Sequence, residues 1–156
     1  MPISSRKLAA AAVVALVAAV AGTTHLARAS SQSGRRLVYV EHELAAPTLD
    51  LGKHGFSPLD RQTISSDILD LHGKLVGRLD DDCAITAVGK RAGAVCSYAI
   101  TLPGGQLVGT RFDAFGAGEG LQPITGGSGA YAGSRGQIRP LRKTKRGLEF
   151  AIELTN

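Results

Sequence analysis

Two glutamates spaced two apart, Glu41 and Glu43, stand in the alternating stretch Arg36 to Leu44, RLVYVEHEL. In a strand that spacing puts both on one face with Leu37 and Tyr39, and puts Val38, Val40, His42 and Leu44 on the other. The available chemistry depends on which face is inside. In a sandwich the Val/Leu face forms the core and both glutamates are solvated. In a barrel that encloses a ligand, the Tyr39/Glu41/Glu43 face points inward. A carboxylate in an apolar barrel has its pKa raised by desolvation and can serve as a general acid or base. Glu41 is therefore the candidate acid–base group, with Glu43 beside it.

Other reactive residue types are sparse. The triplet Asp80-Asp81-Asp82 resembles a fragment of a calcium loop, but the required further ligands are missing. It is expected to be a solvated or edge-protecting acidic run. His25, His42, His54 and His72 are scattered, without the Cys/His spacing of a metal site. No metal and no cofactor are expected. The run Arg139, Arg142, Lys143, Lys145, Arg146 brackets a turn and lacks interleaved aromatics, so a nucleic-acid partner is not expected.

The chain of 156 residues carries a formal charge of +5 and a pI near 9.6. Much of that charge sits in an export segment. Arg6 and Lys7 precede fourteen uncharged residues from Leu8 to Ala21, and Ala27-Arg28-Ala29 has the spacing of a cleavage site. The apolar stretch is short of the ~20 residues that span a bilayer. Residues 1–29 thus read as a signal peptide, residues 30–156 as one domain, and no stable membrane anchor is expected. Removing residues 1–29 takes away Arg6, Lys7 and Arg28 and no acid, which lowers the formal charge to +2. The basic charge then says little about partners. In an exported chain the two cysteines, Cys83 and Cys96, read as a disulfide; the alternative is a nucleophilic thiol.

The elements that would position these residues are short strands. Aromatics are only 4%, Trp is absent and Gly numbers 20, a composition of turn-rich β proteins. Alternation and turn signals predict eight strands: 36–44, 63–71, 76–88, 94–102, 106–114, 121–125, 136–142 and 148–154. Eight such strands make a sandwich or a barrel. A hairpin turning at Gly89–Gly93 sets Cys83 opposite Cys96, close enough to bridge. On strand four Cys96, Tyr98 and Ile100 share a face.

Ile124-Thr125-Gly126-Gly127-Ser128-Gly129-Ala130-Tyr131-Ala132-Gly133-Ser134-Arg135-Gly136 resembles the glycine signature of the allene oxide cyclase and dirigent barrels. So do Thr101-Leu102-Pro103-Gly104-Gly105-Gln106-Leu107, similar to that family's hairpin, and Gly77 to Cys83, similar to its Cys-bearing strand. The resemblance covers roughly residues 35–154. It implies an eight-stranded antiparallel β-barrel in which Gly126, Gly127, Gly129, Gly133 and Gly136 build a compact helical turn and Tyr131 plugs one end. No Gly-Lys-Ser/Thr ending supports a phosphate loop.

The same resemblance implies site residues. Glu41 matches the glutamate on the first strand of the plant cyclases, and Glu43 falls where they have Asn. Pro47 matches a loop Pro, Ser66 or Asp67 lies near a second-strand Asn with Asp67 preferred, and Cys83 matches a third-strand Cys. The faces of the strands, not the resemblance, add Tyr39 beside Glu41 and Tyr98 beside Cys96 as substrate-binding candidates. The missing Asn and the partnered cysteine count against plant-like allene oxide cyclisation. The implied ligand is a small hydrophobic or polyunsaturated molecule. The implied function is an isomerase or cyclase that moulds a reactive chain, or a dirigent-like protein that binds and orients without acid–base chemistry. Plant relatives are trimeric, and the Val38/Val40 face of strand one would suit a homo-oligomer.

Overall fold

The period-two patterning carries through to ten strands in a computed structural model that describes residues 34–118 and 120–155. They are β1 (Arg36–Ala45), β2 (Thr48–Leu49), β3 (Arg61–Leu69), β4 (Leu75–Ala87), β5 (Gly93–Leu102) and β6 (Gly105–Ala114), then β7 (Gln122–Ile124), β8 (Gly126–Gly129), β9 (Gly136–Thr144) and β10 (Gly147–Leu154). The one helical element among them is a 3-10 turn at Gly89–Arg91. The predicted signal peptide lies outside the described residues.

The main strand order is β7-β9-β10-β1-β3-β4-β5-β6-β8, with β2 an appendage on β3, and every pairing is antiparallel. The two ends of that path are halves of one segment, since only Thr125 separates β7 from β8. Its N–H donates to Val108 O at 2.9 Å. The sheet therefore closes on itself, and counting β7 and β8 as one stave makes the expected eight-stranded barrel.

The glycine signature behaves differently from its prediction. Gly126, Gly127 and Gly129 lie in a strand that pairs with β6, and a turn begins only at Ala130. Close approach of two backbones is why glycine is needed there. A Cβ at Gly127 would collide with Tyr131 O and press within 2.7 Å of Gln106 O. Gly127→Ala should therefore open this closure and cost about 1–3 kcal/mol. A thermal melt reads the loss.

Register decides the faces. Glu41 pairs with Leu148 and Ile68, and Tyr39 with Phe150. The inward face of β1 is thus Leu37, Tyr39, Glu41 and Glu43. One half of the barrel is packed solid. Ile68, Ile100, Leu107 and Ile152 are wholly buried there, with Phe150, Ile138, Leu154 and Tyr131 around them. Burying each large apolar side chain stabilises the fold by about 1.5–3 kcal/mol. Tyr131 closes this end, with the Arg35 guanidinium 5.6 Å above its ring.

At the opposite end, residues 50–60 form a loop organised by Asp60. Its Oδ1 accepts from Leu51 N and Gly52 N, both at 3.0 Å, and its Oδ2 accepts from Ser57 N at 2.7 Å. The Gly52 and Ser57 amides lead in holding this carboxyl below its ordinary value of 3.8. The folded chain thus binds this proton less readily than the unfolded one, so the contribution is present above 3.8 and lost as pH falls through the lowered native value. Amide protection at Leu51, Gly52 and Ser57 should drop in that acid range, and Asp60→Asn should abolish the pH dependence.

Candidate ligand cavity and acid–base site

The second half of the barrel is hollow. A cavity of about 540 Å³ opens at the end where β1 and β6 finish and β10 begins. Its walls include Glu41, Glu43, Ile64, Leu79, Gln122, Lys143 and Leu148, and its rim includes Phe115, Gly116, Gly118 and Gly120. Beneath it Glu41, Leu79, Ile138, Pro140, Leu148 and Phe150 surround a small void that leads to the packed layer. Glu41 therefore sits at the boundary between the apolar floor and the open space. Ser66, buried on β3, donates its hydroxyl to Glu41 Oε1 at 2.9 Å. That bond orients the carboxylate. Glu43, one pleat nearer the mouth, is exposed.

Across the lumen stands a wall that the triplet reading missed. Asp80 and Asp82 do face outward, where they pair with Arg78 and Arg61. Asp81 faces inward and is 5% exposed. Its Oδ2 accepts from Arg111 at 2.6 Å, while Arg111 Nε donates to Asp113 at 2.9 Å. The guanidinium also lies 5.5 Å over the Tyr98 ring, and Tyr98 donates its hydroxyl to Pro123 O at 2.7 Å. Parity carried the missing signal. Asp81 is two residues before Cys83 on one strand, so it must share the face of a buried disulfide. Arg111 stands directly opposite Cys96.

One guanidinium divided between two carboxylates leaves the cluster one negative charge in excess. Burial pushes the deeper acid, Asp81, upward ahead of the opposing pull of Arg111, and Asp113 adds to the push. Burial works against the charge on Arg111, but Asp81 and Asp113 outweigh it. Burial also raises the Tyr98 hydroxyl and the Tyr39 hydroxyl.

Of the residues expected to form the site, the structure brings Glu41 and Glu43 to one cavity. Tyr39 is below it, with its ring 6.2 Å from Phe150. Tyr98 is a buried wall residue whose hydroxyl is spent on Pro123. Pro47 is exposed between β1 and β2, and its carbonyl accepts from Thr63 N. Asp67 pairs with His42 on the outer face of the barrel. Ser66 takes the inward place instead, because the pairing of Glu41 with Ile68 and Glu43 with Ser66 sets the parity of β3. Cys83 and Cys96 form the disulfide, paired directly across β4 and β5.

The fold and this cavity define a small closed antiparallel barrel with one filled and one open half. No family model matches the chain, and no curated protein matches it. Solved structures do. One described as a pyocyanin demethylase superposes with a TM-score of 0.67 at 23% identity, covering 78% of this chain and 100% of that one. A nonspecific heme-binding cyclase that catalyses a 4 + 2 cycloaddition during neoabyssomicin biosynthesis gives 0.59 at 21% identity, with 83% and 72% covered. The Diels-Alderase AbmU from Streptomyces koyangensis gives 0.55 at 18%, with 83% and 74% covered. At these identities the likeness establishes the barrel fold.

Proposed function

We propose that the chain is an exported small-molecule-binding barrel that isomerises or cyclises a reactive, largely apolar ligand in its open half. Glu41 is the acid–base group and Ser66 its positioning residue. The observation that carries this reading is the place of Glu41, where an apolar floor meets a cavity of about 540 Å³. A ligand seated there excludes water and restricts its own conformations, which lowers the barrier to ring closure. A cyclase that catalyses a 4 + 2 cycloaddition and a Diels-Alderase are among the solved structures that share this fold, which supports the reading. Export rests on the signal-like residues 1–29, and the disulfide supports it.

A non-catalytic, dirigent-like binder is the second reading. It is favoured by the Arg111 wall, whose donors are turned to the chain's own Asp81 and Asp113. Mass spectrometry with chromatography separates the two. Isomerisation or ring closure leaves the mass of a bound ligand unchanged and alters its retention. Ligands captured from a small-molecule extract should therefore return with unchanged mass and shifted retention from the wild type. Glu41→Gln should still capture the mass but lose most of the shift, on the order of 10²–10⁴-fold in rate. Capture without any shift would leave the binder, and no capture at all would remove both readings.

A further inference from the structure

The Cys83–Cys96 disulfide faces into the barrel beside the acidic wall. Both sulfurs and a carboxylate oxygen of Asp81 lie within 4.8 Å of one another, and all three residues are buried. Asp113 reaches the same place, with its Oδ2 3.6 Å from Cys96 Sγ. A second observation bears on this cluster. The Asp81 side chain is 2% exposed, and among the described residues its Oδ1 is buried with no hydrogen-bond partner. An unsatisfied buried carboxylate oxygen is costly, and the acid–base reading makes no use of it.

We propose that the dithiol form of this protein binds one soft divalent cation of the zinc class through Cys83 Sγ, Cys96 Sγ and Asp81, with Asp113 in reach as a fourth donor. Thiolate sulfur and carboxylate oxygen are donors that zinc takes in four-coordinate sites. The cation would supply the missing partner of the Asp81 carboxylate. An external dithiol reductant must first give two electrons and two protons. The S–S bond then breaks, two thiols form, and the reductant closes to its own disulfide. Cation binding displaces both thiol protons to solvent, so two thiolate charges balance the cation. The neighbouring Arg111 guanidinium favours the thiolates. The cation and the disulfide exclude each other, because the oxidised sulfurs carry no thiolate charge. Asp81 and Asp113 line the ligand cavity, which provides the entry path.

Cobalt(II) alone is the probe. Full-length protein is reduced anaerobically, freed of reductant and titrated. One equivalent should bind with a thiolate-to-cobalt charge-transfer band and should raise the melting temperature of the reduced barrel. The oxidised protein should show no band. Reduced Asp81→Asn should bind at least ~10-fold more weakly. Absence of the band in the reduced wild type overturns the site, as does equal affinity in Asp81→Asn. Circular dichroism follows the strands throughout. Should reduction unfold the barrel, cobalt must restore the strand signal, and failure to do so also overturns it. Binding to an unfolded dithiol would not distinguish Asp81 from Asn, so that outcome falls with equal affinity.

Discussion

Replacing Arg111 with methionine should destabilise the barrel by about 3–5 kcal/mol, a large share of the 5–15 kcal/mol that holds a domain of this size together. Methionine keeps the apolar stem and removes the guanidinium that serves both Asp81 and Asp113. Asp81 is left buried without the cation that pairs its Oδ2. The deficit should depend on pH in a defined direction. Burial already raises the Asp81 pKa in the intact protein, and losing Arg111 raises it further. The folded state then holds that proton more tightly than the unfolded chain. The contribution is fully present below the ordinary value of 3.8 and is lost as pH rises through the native value. Denaturant midpoints of Arg111→Met should therefore lie closest to wild type in acid and furthest from it near neutrality. Arg111→Lys should recover only part of the loss, since an ammonium cannot fork across two carboxylates. A midpoint unchanged at neutral pH would mean that the wall contributes nothing to the fold.

Breaking the Cys83–Cys96 bond should cost about 3 kcal/mol, the chain-entropy value for a closed loop of this size. The bond joins residues 13 apart at directly paired positions of β4 and β5, so it constrains the unfolded chain without asking the native hairpin to move. Urea titration of the oxidised protein against Cys83→Ala/Cys96→Ala reads the difference. The double variant also lacks the proposed cation donors, so added cobalt should leave its midpoint unchanged. In the reduced wild type, cobalt should recover stability by mass action.

Strand existence was legible from alternation alone. The eight predicted segments recur as the staves of the barrel, with boundaries shifted by a few residues. Closure was legible only in part. Gly126 to Gly136 resembled a barrel signature, but Gly126–Gly129 reads as a helical turn until it is seen pairing with β6. A glycine run has no side chains to alternate, so period two leaves no trace in it. Asp81 shows a second kind of loss. Three consecutive aspartates look alike in sequence, yet the pleat sends the middle one into the lumen and its neighbours to solvent. Asp67 and Ser66 show a third, because a shift of one residue exchanges faces. A register irregularity between Glu43 and Ala45 makes that parity unreadable from β1 alone.

By itself the sequence determined the all-β class, the strand inventory, the pairing of two cysteines and the two faces of β1, because each follows from local period, turn chemistry or composition. Only the tertiary structure decided which face of β1 looks inward, that Asp81, Arg111 and Asp113 share one buried wall, and that half the barrel is hollow beside Glu41. Those facts depend on register between strands as far apart in the chain as β1 and β10, and on how much side-chain volume meets at each level of the lumen. Neither quantity is written in any one segment.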